Sequence, residues 1–125
     1  TYKKFFYRIN KIRNKLRRKI SEIKRQKKSI HAYGASTKGN VLLQYFNIGR
    51  KDIDFVADRN PAKFNYYTPG TKIKIISEED SRKTLPDYYL VLPWHFKKEI
   101  LETEKNIIKK GSKFIFPLPN LKIYN

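Results

Sequence analysis

The sequence predicts an α/β fold: a three-layer Rossmann-like sheet of about five parallel strands, with an additional long N-terminal helix. Two observations carry this prediction. Short apolar runs of strand length alternate with segments of helical periodicity along most of the chain. Glycine, proline and other turn-forming residues separate these segments, which is typical of parallel strands connected through helices. At 125 residues the chain has the size of one ordinary domain and can bury a core.

The first element is a long basic amphipathic helix over residues 1–28, which serves as a linker or packing helix. Its apolar side chains recur every three or four residues, and neither Gly nor Pro interrupts it. This stripe must lie on the domain that follows, on another copy of the chain, or on a preceding domain. The stripe consists of Phe5, Ile9, Ile12, Leu16, Ile20 and Ile23.

The remaining residues, 29–125, form the Rossmann-like domain in this prediction. The strands are short apolar runs, and Pro86 and Pro93 bound the fourth of them. A further short run, over residues 121–124, is a candidate edge strand. The five main strands are predicted over residues 29–33, 54–57, 73–76, 88–92 and 113–116.

Two helices and one helical turn are predicted between the strands. Residues 38–46 carry apolar side chains on one side, and Gly49 follows them as a C-terminal cap. Residues 96–110 predict a longer helix that ends at Gly111. Residues 78–83 predict a helical turn, which Glu78 and its neighbour begin.

The formal net charge of +18 is unevenly distributed. Residues 1–28 hold 13 Lys and Arg and one acid, whereas residues 29–125 hold 16 Lys and Arg and 10 acids. A helix with so many cations could bind phosphate in a salt-dependent way, so a basic nucleic-acid-binding module on an α/β scaffold is the alternative function. No nucleic-acid motif accompanies the cations, which makes nucleic acid the less favoured partner.

Composition also excludes several classes of site. Cys is absent and only two His are present, so no disulfide, thiol nucleophile or metal site is expected. No apolar run approaches the roughly 18 residues that a membrane span requires. A signal-peptide pattern is missing as well. We therefore expect a cytoplasmic protein without a membrane partner.

The segment that joins the first strand to its helix is the main candidate site. Residues 33–40 read Y-G-A-S-T-K-G-N, which places glycines and a lysine where doubly wound folds bind phosphate or dinucleotide. The second strand ends in Asp58, about 20 residues further on, where such folds place a ribose-binding acid. The glycine spacing completes neither the dinucleotide nor the phosphate-loop pattern. A tight turn without a ligand therefore stays the alternative.

Several further motifs make the sequence resemble a known family, over roughly residues 8–125. They are Y-G-A-S-T-K-G-N-V-L-L from Tyr33, D-R-N-P from Asp58, Y-T-P-G-T from Tyr67, P-D-Y from Pro86, P-W-H-F from Pro93 and F-I-F-P-L-P from Phe114. In this order and spacing they are similar to the C-terminal domain of the nucleotide-sugar C-methyltransferases that depend on S-adenosylmethionine.

The resemblance implies a domain that helps to hold a nucleotide-diphosphate sugar and supports no methylation alone. S-adenosylmethionine is expected on a separate domain, so no cofactor and no catalytic residue are expected on this chain. The second expected partner is a preceding methyltransferase domain, or another copy, bound through the N-terminal helix. The expected substrate-binding residues are Tyr33, Gly34, Ala35, Ser36, Lys38, Gly39, Asn40, Asp58, Arg59, Asn60, Tyr67, Thr68, Trp94 and His95.

For some of these residues, a purely structural role remains the alternative to substrate binding. Asp58 could cap the turn before Pro61, and Tyr67 with Thr68 could close a loop. A lone His in a loop, such as His95, is more often a hydrogen-bonding or capping residue than a general acid or base. His31 lies within a strand and is expected to be packed there.

Overall fold

In a computed structural model that describes residues 2–125, helices and strands alternate along the chain after a long first helix. The helices are α1 Tyr2–Arg25, α2 Thr37–Tyr45, α3 Glu78–Thr84, α4 Lys97–Thr103 and α5 Lys105–Lys109. The strands are β1 Ile30–Tyr33, β2 Phe55–Asp58, β3 Ile75–Ser77, β4 Tyr88–Val91, β5 Lys113–Phe116 and β6 Lys122–Tyr124. Short 3-10 turns lie at Pro61–Lys63 and Trp94–Phe96.

The strands form one sheet in the order β3-β2-β1-β4-β5-β6. The first five strands of this order are parallel, and β6 pairs antiparallel with β5 at the edge. The predicted Rossmann-like sheet of about five parallel strands is thus confirmed, as is the edge strand. The chain runs outward from β1 in both directions, so the strand order reverses between β1 and β4. A crevice is expected at that point, outside the carboxyl ends of the strands.

Helices cover both faces of the sheet. Successive strand residues point to opposite sides, so each strand contributes side chains to the core on both faces. Ala32 and Leu90 belong to the cluster that α1 and α2 cover. Tyr33 and Val91, their neighbours in sequence, belong to the cluster that α4 and α5 cover. The result is the three-layer arrangement that the sequence predicts.

The two halves of α1 differ in burial. Its second half buries Ile12, Leu16, Ile20 and Ile23 in the same core cluster as the strands. Its first half leaves four aromatic side chains exposed, namely Tyr2, Phe5, Phe6 and Tyr7. No helix within residues 2–125 is both long and apolar enough to cross a membrane. The predicted domain boundary near residue 28 stays a prediction.

The helix predicted over residues 96–110 is interrupted. The backbone at Glu104 has φ −99° and ψ 14°, outside the α-helical region, and this residue separates α4 from α5. The Glu104 carboxylate is buried and accepts hydrogen bonds from Tyr33 and Arg82, which lie on other elements. These tertiary bonds hold a charged side chain that helical periodicity alone would place on a solvent face.

Candidate functional site

A cleft of about 390 Å³ opens at the carboxyl ends of the strands, where the strand order reverses between β1 and β4. Its position is the one at which open α/β sheets bind ligands. Apolar, acidic and hydroxyl side chains surround it, together with one guanidinium. The cleft is lined by Tyr33, Gly34, Asp58, Arg59, Glu78, Pro93, Phe96, Glu99, Ile100 and Thr103.

The wall between β1 and β4 requires a glycine. Gly34 has φ +95°, which L side chains rarely adopt, and an added Cβ would lie 3.0 Å from Cδ of Pro93. Gly34 also donates its amide hydrogen to the Ala57 carbonyl at 2.8 Å. Gly34 thus lies against Pro93, after β4, on one side and hydrogen-bonds to β2 on the other, so the ends of these three strands form a continuous wall.

Asp58 organises the turn that follows β1. Its Oδ2 accepts the amide hydrogen of Ala35 at 2.7 Å, and its Oδ1 accepts that of Asn60 at 2.8 Å. Lys63 adds a hydrogen bond from Nζ to the Ala35 carbonyl at 3.0 Å. The carboxylate lines the cleft while it ties the ends of β1 and β2 together. The predicted position of Asp58 at the site is observed, and so is its capping geometry.

The start of α2 lies next to the cleft but is absent from its lining. Ser36 is the N-cap, and its hydroxyl accepts the Gly39 amide hydrogen at 3.0 Å. Gly39 is buried, and an added Cβ would lie 2.8 Å from Cβ of Leu92. Lys38 is exposed on the first turn of the helix. These residues bring a helix N-terminus close to β4, as the sequence predicts for a phosphate-binding turn.

Asn40 of α2 contacts the loop that contains Tyr67 and Thr68. The Asn40 amide nitrogen donates to the Pro69 carbonyl at 2.8 Å, and its amide oxygen accepts from the Thr71 hydroxyl at 2.8 Å. Thr68 is buried, and its hydroxyl accepts the Ile73 amide hydrogen. Tyr67 is exposed beside this loop. The contacts hold a loop against α2, which is the loop-closing alternative that the sequence leaves open for Tyr67 and Thr68.

Trp94 and His95 lie on the 3-10 turn that follows β4. Trp94 packs partly buried against the cluster beneath α4 and α5, and the exposed His95 ring lies between the rings of Trp94 and Phe96. Neither residue lines the cleft, whereas their neighbours Pro93 and Phe96 do. The turn that the sequence indicates thus reaches the cleft through Pro93 and Phe96, and a binding role of Trp94 and His95 stays a prediction.

Six of the lining residues were not anticipated as site residues, among them Glu78, Glu99 and Thr103. Glu78 begins α3, as predicted, and the carboxyl end of β3 brings it to the same sheet edge as Asp58. Glu99 and Thr103 come from α4, which covers the crevice from the other side. The one signal in the sequence is their spacing of four residues, which places both side chains on the same face of a helix.

A chain of charged groups supports one side of the cleft. Tyr33 donates its hydroxyl hydrogen to Oε2 of Glu104 at 2.7 Å, and Arg82 binds both Glu104 oxygens, at 2.9 and 2.6 Å. Arg82 also contacts Oε1 of Glu78 at 3.4 Å, and Arg59 donates to that same oxygen from Nε at 3.0 Å. This network of hydrogen-bonded side chains extends from the buried Glu104 to the exposed Arg59.

Burial and these contacts shift the ionisation of the network. Burial raises the pKa of the Tyr33 hydroxyl, and its hydrogen bond to the Glu104 carboxylate raises it further. Burial alone would raise the pKa of Glu104, but the hydrogen bonds from Arg82 and Tyr33 outweigh it and leave that pKa below its ordinary value. The hydrogen bond to Glu104 raises the pKa of Arg82. At neutral pH the network therefore holds a neutral Tyr33 phenol, a charged Glu104 carboxylate and charged guanidinium groups on Arg82 and Arg59.

Comparison with known proteins decides the family of this chain. The family of C-methyltransferase C-terminal domains matches residues 1–119. This chain belongs to that family. The residues matched by the C-methyltransferase C-terminal domain include all of α1 and extend past β5, so they include every residue that lines the cleft.

A curated relative agrees with this assignment. The C-methyltransferase NovU of Streptomyces niveus is 34% identical to this C-methyltransferase domain over 122 residues. The match covers 98% of the present chain and 29% of the relative. The chain thus spans less than a third of the length of that enzyme, and the family resemblance stated from the sequence motifs is confirmed.

Proposed function

We propose that this domain is the nucleotide-sugar-binding and domain-packing part of a sugar C-methyltransferase that uses S-adenosylmethionine. The observation that carries the proposal is the cleft at the β1/β4 crevice, in a chain that belongs to a C-methyltransferase family. Its substrate is a deoxysugar linked to a nucleoside diphosphate, and its work is done in the cytoplasm. The alternative, a basic nucleic-acid module, rests on α1 alone.

The lining of the cleft suits a sugar ring. A sugar presents hydroxyl groups around its edge and C–H groups on its faces. Glu99 supplies carboxylate oxygens that accept hydrogen bonds from hydroxyl groups, and the exposed Phe96 ring supplies an apolar surface. Tyr33 and Ile100 complete the apolar part of the lining. The volume of about 390 Å³ lies within the range of ligand pockets.

The contribution of this domain to catalysis is positional. It holds the sugar nucleotide so that the carbon to be methylated faces a methyl donor bound elsewhere. Fixing two reactants in orientation lowers a barrier by several kcal/mol, because translational and rotational entropy is lost on binding and not during the reaction. No group of this chain is required to take part in the transfer itself.

The proposal places S-adenosylmethionine on another domain. Asp58, the acid at the end of β2, holds the turn through main-chain hydrogen bonds from Ala35 and Asn60, and each of its oxygens keeps one further lone pair for a substrate hydroxyl. No step of the transfer is assigned to this cleft.

The exposed aromatic face of α1 is the proposed contact with a preceding methyltransferase domain. Phe5 is 57% exposed although it continues the apolar stripe that buries Ile12 and Leu16. A second copy is the weaker candidate for this face, because two copies of α1 with a net charge of +10 each would repel one another. A preceding domain also accords with the 29% share of the relative that the chain spans.

Calorimetric titration of the natural-length protein with a panel of nucleotide-diphosphate sugars tests the substrate site. We expect selective binding that Thr103→Trp weakens at least tenfold, because the indole fills the cleft. Glu102→Trp is the matched control, since Glu102 is exposed on the same helix and does not line the cleft. Binding that is indifferent to the sugar and falls steeply with salt would favour the nucleic-acid alternative.

Hydrogen exchange tests the packing role. In the natural-length protein we expect the amides around Phe5 and Phe6 to be protected, and Phe5→Ser combined with Phe6→Ser to remove that protection. The control is Tyr66→Ser, which alters an exposed aromatic residue outside α1. Equal exchange in the wild type and the double variant would contradict the proposed contact.

A further inference from the structure

The cleft holds acidic, hydroxyl and apolar groups, but among the residues that line it Arg59 is the one cation. Its side chain is 70% exposed, and Nε is bound to Glu78 at 3.0 Å. This bond uses Nε, and Arg59 also interacts with the Tyr33 hydroxyl, so the remaining N–H groups of the guanidinium are the ones that can donate to a ligand. Arg59 is therefore the one positively charged side chain of the lining that an anionic part of a ligand can contact.

The turn after β1 is less suited to an anion than the sequence suggests. The Ala35 amide hydrogen is already donated to Asp58, and the Gly39 amide hydrogen to Ser36. The Asp58 carboxylate also places a negative charge directly beside this turn. Lys38, the cation of the turn, is exposed outside the lining of the cleft.

Arg59 has a support that an ordinary surface ion pair lacks. Glu78 is shared between Arg59 and Arg82, and Arg82 is held by both oxygens of Glu104. Glu104 is only 3% exposed and also accepts the hydroxyl hydrogen of Tyr33. A long exposed arginine loses much side-chain entropy when it binds a ligand, and a fixed Nε reduces that loss.

We propose that Arg59 binds the phosphate groups of the substrate and that Glu104, acting through Arg82 and Glu78, is a positioning residue for it. This inference rests on the proposed function, because it names the part of the site that recognises the diphosphate. Arginine suits this task since its planar fork matches two phosphate oxygens at once. Asp58 and Glu99 remain on the part of the cleft that faces the sugar.

Titration of the natural-length protein with UDP and TDP, and with uridine and thymidine as uncharged probes, tests the proposal. We expect Arg59→Gln to weaken diphosphate binding about 10- to 100-fold, the usual effect of losing a hydrogen bond to a charged group. Nucleoside binding should change little. Arg59→Lys should restore part of the loss. Arg50→Gln, the same change of charge on an exposed loop after α2, should leave all four affinities unchanged.

Glu104→Gln tests the positioning role. It should weaken diphosphate binding and leave nucleoside binding as it was, whereas a merely structural loss would weaken both alike. Equal loss for both kinds of probe would overturn the role of Glu104. If Arg59→Gln binds the diphosphates with wild-type affinity and Lys38→Gln binds them more weakly, the proposed role of Arg59 is overturned. The proposed function would still stand in that case. A wild-type protein that binds none of the probes or sugar nucleotides would overturn both.

Discussion

The amide hydrogen of Ala35, in the turn after β1, is donated to Oδ2 of Asp58, at the end of β2, at 2.7 Å. The other oxygen of Asp58 accepts from Asn60. One carboxylate thus fixes two turns of the same sheet edge. A residue in the position usually assigned to ribose recognition serves here to shape the site.

Asp58→Ala should lower the free energy of unfolding by about 1–3 kcal/mol, because it leaves a part-buried amide without its acceptor. Asp58→Asn should cost less, since its amide oxygen can still accept one hydrogen bond. Urea denaturation monitored by circular dichroism measures both. Glu102→Ala, which removes an exposed carboxylate, is the control. An effect of Asp58→Ala no larger than that of the control would contradict the assigned role.

Gly39→Ala should destabilise the domain by about 1–3 kcal/mol, because the added methyl group would overlap Leu92. Gly49→Ala is the matched control. Its added Cβ would meet nothing closer than 4.0 Å, so its effect should stay within about 0.5 kcal/mol. The same denaturation experiment compares them. Combining Gly39→Ala with Leu92→Gly, which removes both Leu92 atoms that the added methyl group would meet, should cost less than the sum of the two single changes, and strict additivity would refute the steric explanation.

Leu16→Ala should lower the free energy of unfolding of this chain by about 2–5 kcal/mol, because Leu16 is fully buried in the core. Phe5→Ala removes a larger side chain from the same apolar stripe. It should nevertheless change the free energy of unfolding by no more than about 0.5 kcal/mol, since Phe5 is exposed. Thermal or urea unfolding of the two variants distinguishes the buried half of α1 from the exposed half. A large loss with Phe5→Ala would show that the first half also packs on this domain.

Stability should also rise with pH between about 4 and 6.5. Burial lowers the pKa of His31 to about 4, against an opposing effect of Asp54, and its Nδ1 lies 2.7 Å from the Ser81 hydroxyl. In this range the unfolded chain binds a proton that the folded chain does not, so the free energy of unfolding falls as pH falls. The full contribution is about 3 kcal/mol.

Denaturation curves at several pH values, for the wild type and for His31→Gln, isolate this effect. The glutamine variant keeps a hydrogen-bonding side chain but cannot titrate, so its stability should depend less on pH between 4 and 6.5. Subtracting the pH dependence of the free energy of unfolding of one protein from that of the other cancels the contribution of the carboxylates, which titrate in both. Parallel curves would mean that His31 does not carry the effect.

Local sequence patterns were sufficient to predict most of the elements. The apolar stripe that includes Leu16 has helical spacing, and the continuous run at Tyr88–Val91 has the length and composition of a buried parallel strand. The helix predicted over residues 96–110 was too long. Its interruption at Glu104 depends on Tyr33, which lies 71 residues away in sequence, and no local pattern contains that information.

The cleft lies at the sheet edge where the sequence predicts a site, but only part of its lining is among the predicted residues, and their binding roles stay predictions. Strand ends can be found in the sequence, so Gly34, Asp58 and Arg59 were correctly expected at one sheet edge. The residues of α4 were missed, because which helix covers the crevice depends on the order of the strands. The partners of Asp58 and Arg59 were missed for the same reason.

The sequence by itself determined the alternation of helices and strands, the strongly basic first helix and the membership of a C-methyltransferase family. These features depend on spacing, composition and motifs, which are local. Only the tertiary structure decided how much of the apolar stripe of α1 is buried and which side chains line the cleft. It also decided that a buried glutamate supports an exposed arginine, because hydrogen bonds and desolvation act between residues that the fold, and not the chain, brings together.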